Sequence, residues 1–242
     1  MTGRLAGKRA LVTGASRGIG AAIARRLAAD GAQVIVHYGA SRASAEALAA
    51  EIGGVPAQAD LAEAGGPEAL AAQVDGPLDI LVHNAGVAVF EAWGGFSVEG
   101  FDRMVAVNLR APLFLTQALA PKLADHGSVI FISSLVAQRS SFGGMFAAYA
   151  ATKGGVEAVS LHVAGALAGR NIRVNALAPG AVATEMAGFL ASEEGRAMTM
   201  ASQAFKRIAQ PDDIADAAAW LAGPDARWVT GQVISVNGGA RI

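Results

Sequence analysis

The chain has no cysteine among its 242 residues, which excludes disulfide bonds, a thiolate metal site and a cysteine nucleophile. It also has little excess charge: the formal net charge is -1, and no run of Lys or Arg would hold nucleic acid or an anionic membrane surface. The four histidines stand far apart in the sequence, without the spacing of metal ligands. We therefore expect no metal and no nucleic acid, and a small molecule as the partner.

Long uncharged apolar runs are absent as well. No such run reaches the roughly 20 residues of a membrane-spanning helix, and residues 1–8 lack the apolar core of a signal peptide. We expect a cytoplasmic protein that makes no membrane contact. A hydrophobic content of 53% is enough for a large core, and a chain of this length is expected to form one compact α/β domain.

What is present is an alternation of short apolar runs and longer alanine-rich helical patterns. Strands that are apolar on both faces and separated by helices are typical of a parallel sheet covered on both sides. The predicted fold class is therefore α/β, a doubly wound parallel sheet of about seven strands with helices on both faces. The predicted strands are 9–13, 34–37, 55–59, 80–83, 129–133, 172–177 and 233–236.

A glycine-rich motif follows the first predicted strand and opens a helix at 21–29. Gly14 permits a tight turn, Gly18 lets the backbone approach a pyrophosphate, and Gly20 allows close helix packing. Backbone amides and the helix dipole would face the anion, so this strand-loop-helix context predicts a dinucleotide site. The alternative is a glycine-rich turn that binds nothing. The motif is Thr13-Gly14-Ala15-Ser16-Arg17-Gly18-Ile19-Gly20.

The end of the second strand predicts which nicotinamide dinucleotide is bound. NAD-binding folds usually place an acid there, whereas an arginine accommodates a 2'-phosphate. No acid occurs within 31–45, and Tyr38 stands where the acid would be. Arg17 and Arg42, with Ser41, could form a charge-assisted cluster around that phosphate, so we expect NADP(H). The alternative for Arg42 is an exposed residue at a helix start.

Tyr149 and Lys153 stand four residues apart, which places both on one face of a helix. A free phenol has a pKa of about 10, whereas a general acid works best when its pKa lies near the operating pH. A nearby ammonium group lowers the pKa of a phenol. The pair therefore predicts a tuned proton donor, although a half-buried Tyr beside a solvated Lys would show the same spacing.

Together these motifs resemble those of the short-chain dehydrogenase/reductase family in its compact form, nearly end to end. The resemblance implies a single NAD(P)-binding Rossmann domain over 1–242, with a substrate loop at about 184–206 inserted in it. It also implies an oxidoreductase in which NADPH delivers hydride to a carbonyl carbon, or accepts it in reverse, while Tyr149 exchanges the proton. Lys153 would lower the pKa of Tyr149 and hold the nicotinamide ribose.

The family's other catalytic positions fall on Ser134 and Asn108. Ser134 would hydrogen-bond the substrate carbonyl, and Asn108 would hold a water beside Lys153 and relay protons to it. Successive strand residues face opposite sides, so either Ser133 or Ser134 can point into the cleft, and the resemblance favours Ser134. The stretch between Ser134 and Tyr149 is longer than is usual in the family by two residues, which keeps Ser133 open.

The resemblance also assigns cofactor contacts. Asp60 and Leu61 would contact the adenine ring, although Asp60 with Glu63 also predicts a capping box for the next helix. Val182 would hold the nicotinamide carboxamide through its backbone, although a Pro-Gly turn before it needs no ligand. The motif 237–239 is expected to be structural. The remaining predicted contacts are Asn84, Ala85, Gly86, Tyr149, Lys153, Pro179, Gly180 and Thr184.

Apolar residues expected around the cleft predict an apolar or aromatic ketone or aldehyde as substrate, although many of them could equally be core. A 3-oxoacyl-[acyl-carrier-protein] reductase is an alternative, and Arg170 and Arg173 are available for an acidic carrier. A non-catalytic dinucleotide-binding regulatory module is an alternative of another class. The expected lining is Val89, Phe90, Trp93, Phe142, Met145, Phe146, Met186, Phe189, Leu190, Met198 and Met200.

Two helical stretches are apolar around most of their circumference. Within 105–120 the single charge is Arg110, and within 156–168 it is Glu157. A helix of this kind is buried on more than one side, and in an α/β domain only one side packs on the sheet. We therefore expect a homodimer or a homotetramer.

Overall fold

Seven parallel strands form one sheet in the computed structural model, which describes residues 3–139 and 142–240. The predicted α/β class with a doubly wound parallel sheet is confirmed. The strands are β1 (Arg9–Val12), β2 (Gln33–Tyr38), β3 (Val55–Gln58), β4 (Leu78–His83), β5 (Leu123–Ile132), β6 (Arg173–Pro179) and β7 (Val233–Val236). Their order across the sheet is β3-β2-β1-β4-β5-β6-β7.

Helices cover both faces of this sheet. They are α1 (Gly18–Ala29), α2 (Arg42–Ile52), α3 (Gly66–Ala72), α4 (Val98–Val105), α5 (Ala111–Leu119), α6 (Ala147–Leu167), α7 (Glu193–Ser202) and α8 (Pro211–Ala222). The first two and α8 form one core with the sheet, whereas α3, α5 and α6 form the other. Strand residues alternate between the two cores: Val12 faces the first and Leu11 the second, and both are fully buried.

β5 begins six residues before the predicted 129, at Leu123, and contains an irregularity. Its pairing with β4 shifts between Leu78 and Ile80, and His126 has a left-handed φ of 63°. The polar residues 124–127 resemble a loop, which is why the strand pattern missed them. Extra residues of this kind are accommodated as a bulge that bends the strand.

Asp60 does not cap the next helix, so the predicted capping box with Glu63 is wrong. α3 begins only at Gly66, and the residue before it, Gly65, is its N-cap. The Asp60 carboxylate instead accepts a hydrogen bond from the Ala62 amide at 2.9 Å, which closes a local turn after β3.

Within the ranges 3–139 and 142–240 no helix is long and apolar enough to cross a membrane. Nor do the described residues include a group of three or more His, Asp or Glu side chains that could hold a metal ion.

Candidate active site

The predicted site residues meet at the carboxyl edge of the sheet. β1 has β2 on one side and β4 on the other. Strands β2 and β3 are added outward in one direction, and β4 to β7 are added outward in the other. Doubly wound sheets bind their ligands in the crevice that opens there. The glycine loop follows β1, residues 84–86 follow β4, Ser134 follows β5, and 180–184 follows β6.

The glycine loop has a backbone that requires glycine. Gly14 and Gly18 adopt left-handed φ values of 62° and 56°. A Cβ at Gly20 would lie 2.4 Å from both the Asn84 amide nitrogen and the Gly14 carbonyl oxygen. The tight turn at Gly14 and the close packing at Gly20 agree with the geometry of the loop, and the approach of a pyrophosphate at Gly18 stays a prediction.

Hydrogen bonds join the start of this loop, after β1, to the residues that follow the neighbouring strand β4. Asn84 donates from Nδ2 to the Thr13 and Gly14 carbonyl oxygens at 2.9 and 3.0 Å. Thr13 in return accepts the backbone amides of Asn84 and Ala85 on its Oγ1, each at 3.0 Å. The segment 84–86 thus fixes the loop through its own hydrogen bonds, and Ala85 packs against Gly14.

His37, at the end of β2, is the third support of the loop and was not singled out from the sequence. Its Nδ1 accepts the Gly14 amide at 3.0 Å, so the ring proton lies on Nε2, which donates to the Ala59 carbonyl at 3.1 Å. Burial lowers the pKa of His37 to about 4, which keeps the imidazole neutral. A histidine within an apolar strand was the signal that could have identified it.

The start of α1 is suited to an anion. Arg17, its N-cap residue, places no side-chain acceptor on the first amides of the helix, so these donors remain for a ligand. The exposed Arg17 guanidinium forms an ion pair with Glu185 at 3.3 Å. Both residues line a groove of about 930 Å³, which also includes Ser16, Gly18 and Thr184. Tyr149 lies outside this groove.

Arg42 of the predicted 2'-phosphate cluster contacts Tyr38. Its ring is buried, and its hydroxyl accepts a hydrogen bond from Arg42 Nε at 3.3 Å. Arg42 is exposed and also pairs with Glu46 at 3.3 Å. Ser41 is the N-cap residue of α2, without a side-chain bond to the helix. Arg17 and Arg42 thus each pair with an exposed carboxylate, and the Ser41 hydroxyl makes no bond to the helix that it begins.

Tyr149 and Lys153 are both buried on the first turns of α6. The Lys153 ammonium lies 5.7 Å from the centre of the Tyr149 ring. Burial raises the pKa of Tyr149, and this differs from the sequence expectation that Lys153 lowers it. The cause is desolvation of the Tyr149 phenol itself, and burial likewise lowers the pKa of Lys153, to about 8. Both changes favour the neutral forms of the two side chains.

Lys153 is held in place from the sheet. Its Nζ donates to the carbonyl oxygen of Ile132, the last residue of β5, at 2.7 Å. A Cβ at Gly86 would come within 3.5 Å of this Nζ and 3.4 Å of Asn108 Oδ1. Gly86 therefore lies directly beside both side chains, at ordinary contact distance.

Asn108 lies in a π-helical turn, Ala106–Arg110, that joins α4 to α5. Its Oδ1 accepts the Val87 amide and its Nδ2 donates to the Val87 carbonyl, both at 2.8 Å, while Thr152 Oγ1 accepts a third bond at 3.1 Å. The side chain thus joins the turn after β4 to α6. Turns of this type occur frequently at functional sites.

The two serines after β5 have different surroundings. Ser133 is buried, and its hydroxyl donates to Glu157 Oε1 at 2.8 Å. Ser134 is only partly buried, and its Oγ accepts the Val136 amide at 3.4 Å. That bond leaves the Ser134 hydroxyl proton for another acceptor, whereas Ser133 already uses its proton. The geometry favours Ser134 over Ser133 as the group that faces the cleft.

The remaining predicted contacts occupy the same edge. The Thr184 methyl group approaches Gly18 across the groove, and Val182 is buried, bridging to Ala209. Pro179 ends β6, and the Gly180 amide donates to the Val236 carbonyl at 3.2 Å. Ile19 lies in the first turn of α1, Asp60 is exposed, and Leu61 is buried after β3.

An aromatic wall stands beside Tyr149. The Phe90 ring meets Tyr149 edge-on with centres 6.0 Å apart, and it meets Phe146 edge-on at 5.0 Å. Trp93 is exposed and lies against Gly144. The Phe142 side chain is outside the described residues, as are Ser140 and Ser141 of the longer loop.

The later segment of the predicted lining is arranged differently. Leu190 is buried and lines the groove beside the glycine loop. Met186, Phe189 and Met198 are exposed. They lie in the short helical segment Glu185–Ala191 and in α7, which together form most of the predicted substrate loop.

The motif 237–239 has the structural role that the sequence predicted. Asn237 Oδ1 accepts the Gly239 amide at 3.0 Å, and the Gly238 and Gly239 carbonyls accept the amides of Phe205 and Ala204. Arg139, which the sequence did not single out, donates to the Ala240 carbonyl at 3.1 Å. The two segments that flank the cleft are thus attached to the last described residues of the chain.

Comparisons with known proteins agree with this architecture. Residues 14–241 match a family model described as enoyl-(acyl carrier protein) reductase. An uncharacterised oxidoreductase of Methylorubrum extorquens is 45% identical, over 98% of this chain and 99% of its own. A 3-oxoacyl-[acyl-carrier-protein] reductase of Staphylococcus aureus is 38% identical, over 96% of this chain and 97% of its own.

A solved structure resembles the chain throughout. It is an angucycline C-6 ketoreductase with bound NADP, which superimposes with a TM-score of 0.91 at 38% identity. The match covers 99% of this chain and 97% of the ketoreductase.

Proposed function

Because the chain belongs to the short-chain dehydrogenase/reductase family and is an oxidoreductase of that family, we propose that it reduces a carbonyl compound to an alcohol with NADPH. One observation carries the proposal: Ser134, Tyr149 and Lys153 stand at the same sheet edge as the glycine loop. A protein that only binds a dinucleotide has no need of a proton donor. The reverse reaction uses the same groups.

The residues present fit NADP(H). The first amides of α1 and the left-handed glycines provide a phosphate cradle, and Arg17, Ser41 and Arg42 supply cationic and hydroxyl groups for a 2'-phosphate. Asp60 and Leu61 would contact the adenine, and Val182 and Thr184 the nicotinamide end. When bound, the cofactor supplies the hydride. The similar ketoreductase was solved with NADP, which supports this choice.

Tyr149 is proposed to give its proton to the carbonyl oxygen. The phenol carries its proton at neutral pH, as a donor must, and burial raises its pKa, which makes it a weaker acid than a free phenol. Ser134 would hydrogen-bond the same oxygen through the proton that its Val136 contact leaves unused. Lys153, fixed by Ile132, would hold the ribose hydroxyls and return a proton to Tyr149. Asn108 keeps Val87 and Thr152 in place around the lysine.

We propose an apolar or aromatic ketone or aldehyde as the substrate. Phe90 and Phe146 form an apolar wall next to Tyr149 that suits a flat, uncharged ring system. The resemblance to an angucycline ketoreductase supports the same class of substrate.

A carrier-bound 3-oxoacyl substrate is the second candidate, supported by the reductase of Staphylococcus aureus. An acidic carrier protein would need basic residues near the cleft. Arg173 begins β6 at the opposite edge of the sheet, and Arg170, which pairs with Asp125, lies just before it. These two arginines lie at the end of β6 that is remote from the cleft and do not favour a carrier there, so we place the aromatic compound first.

Replacing Tyr149 with Phe tests the assignment of the proton donor. We expect turnover to fall at least about a thousandfold, because the carbonyl oxygen loses its proton source, while NADPH affinity stays within about twofold. Absorbance at 340 nm reports turnover, and cofactor fluorescence reports binding. Near-normal turnover with full binding would show that another group supplies the proton.

A panel of ketones, aldehydes and quinones, run with NADPH and NADH in parallel, tests the rest. We expect oxidation of NADPH, and a preference for it over NADH that Arg17→Ala and Arg42→Ala reduce. Tight binding without oxidation of any compound in the panel would favour a non-catalytic regulatory module. A preference for NADH would overturn the assignment of the two arginines.

We also propose that the chain assembles as a homodimer or homotetramer. Exposed large apolar side chains lie on the outer faces of α4, α5 and α6, among them Val98, Phe114 and Leu161. A hollow of about 380 Å³ between α4 and the start of α6 continues this apolar surface. A second copy of the chain would cover it.

A further inference from the structure

Ser133 and Gln138, which come before and after Ser134 in the chain, both donate a hydrogen bond to the same carboxylate oxygen. Ser133 Oγ donates to Glu157 Oε1 at 2.8 Å, and Gln138 Nε2 donates to the same atom at 3.0 Å. Glu157 lies on α6, one turn after Lys153, and is the single charge in residues 156–168. One oxygen of a partly buried carboxylate on an otherwise apolar stretch therefore binds both Ser133 and Gln138.

Residues 133–138 form a compact turn that these two bonds close. Ser134 caps it, since its Oγ accepts the Val136 amide and its carbonyl accepts the Ala137 amide at 3.0 Å. The Gln138 amide then donates to the Leu135 carbonyl at 3.1 Å. The position of the Ser134 hydroxyl is thus set by a turn whose first and last residues are fastened to α6.

We propose that Glu157 is a positioning residue for Ser134. It fixes the serine turn to the helix that carries Tyr149 and Lys153, so that the hydroxyl and the phenol keep a constant relation to one carbonyl oxygen. This inference rests on the proposed function, in which both groups bind that oxygen.

The path along the chain from Ser134 to Tyr149 gives this contact its importance. Fourteen residues, 135–148, separate the two. The bonds of Ser133 and Gln138 to Glu157 join the serine turn to α6 directly, so the position of the Ser134 hydroxyl does not depend on that stretch. A displacement of about 1 Å in such a group costs as much as a hundredfold in rate.

Hydrogen exchange of the protein without nucleotide tests the fastening directly. In Glu157→Ala we expect the amides of Val136, Ala137 and Gln138 to exchange at least about fivefold faster, since the turn opens when its anchor is lost. Glu157→Gln keeps an acceptor oxygen and should retain slow exchange. Glu68→Ala, on the exposed surface of α3, is the matched control. Unchanged exchange in Glu157→Ala would overturn the proposal whatever the enzyme reduces.

Kinetics test whether the fastening acts through Ser134. We expect Glu157→Ala to lower kcat about tenfold with an unchanged NADPH dissociation constant, and Glu157→Gln to restore it within about twofold. In a Ser134→Ala background the same Glu157→Ala change should alter kcat less than about twofold, because the group that it positions is gone. An equal loss in both backgrounds would show a general structural role and refute the proposal. Failure of the wild-type protein to reduce any carbonyl compound would refute the proposed function. The hydrogen-exchange result would still show whether Glu157 holds the serine turn on α6.

Discussion

His83, at the end of β4, shows how one buried side chain makes stability depend on pH. Its ring stacks on Phe131 with centres 4.6 Å apart. Thr116 Oγ1 donates to the Pro112 carbonyl at 2.8 Å, so it accepts from His83 Nε2 at 2.7 Å, and the neutral imidazole carries its proton there. Burial lowers the pKa of His83 from 6.5 to about 3.

The sign of the pH effect follows from that lowered pKa. Between pH 6.5 and 3 the unfolded chain binds a proton at His83 that the folded chain does not, so the free energy of unfolding falls as the pH falls through this window. From pH 7 to pH 4 we expect wild type to lose roughly 3 kcal/mol more stability than His83→Asn. Urea unfolding of both proteins at each pH measures this. Parallel losses would mean that the imidazole is protonated in the folded state.

For individual residues, the sequence predicted which side chains come together better than it predicted their pKa values. Tyr149 and Lys153 were identified from their spacing, and the structure places them together on α6. The direction of the Tyr149 pKa was wrong, because spacing along a helix carries no information about burial by distant segments such as the one that holds Phe90. Glu157 was noted only as a lone charge, since its partners Ser133 and Gln138 come from another element.

At the scale of secondary-structure elements, the position of α1 depends on Gly20 in its first turn. A Cβ at Gly20 would collide with the Gly14 carbonyl and with the Asn84 amide that clamps the loop. We expect Gly20→Ala to weaken NADPH binding at least about tenfold and to lower the thermal midpoint, because backbone must move to admit a methyl group.

Gly169→Ala is the matched substitution. Gly169 lies in the helical turn after α6, and a Cβ there would meet nothing within 4 Å. Restricting the unfolded chain should make this variant more stable by about 0.4–1 kcal/mol, with NADPH affinity unchanged. Equal effects of the two substitutions on cofactor fluorescence and thermal unfolding would contradict a specific role for Gly20.

Element positions were predictable wherever periodicity alone decides them. Leu11 and Val12 alternate between two apolar cores, and such runs identify buried strands without further information. The early start of β5 was not predictable, because residues 124–127 are polar and pair with β4 only through an irregular register. The start of α3 was likewise misjudged from the Asp60 to Glu63 spacing, which forms a local turn instead.

At the scale of the whole molecule, the apolar outer faces of α4 to α6 predict association. We expect sedimentation at micromolar concentration to show a dimer or tetramer. Leu161→Glu should shift the sedimenting species towards smaller ones, because a charge without a partner is costly to bury in an apolar contact. Val55→Glu, at an exposed apolar position on β3, serves as the control and should leave the assembly intact. A monomeric wild type would contradict the prediction.

The hydrogen bonds that Thr13, His37 and Asn84 make to the glycine loop also bear on the thermodynamics of nucleotide binding. They are complete within the chain itself, so Thr13 and Gly14, at the start of the loop, lose their conformational freedom when the protein folds. A preorganised loop spares binding that entropic penalty. Nucleotide affinity should therefore persist on heating until the sheet itself unfolds, with no earlier stage at which the site alone has melted.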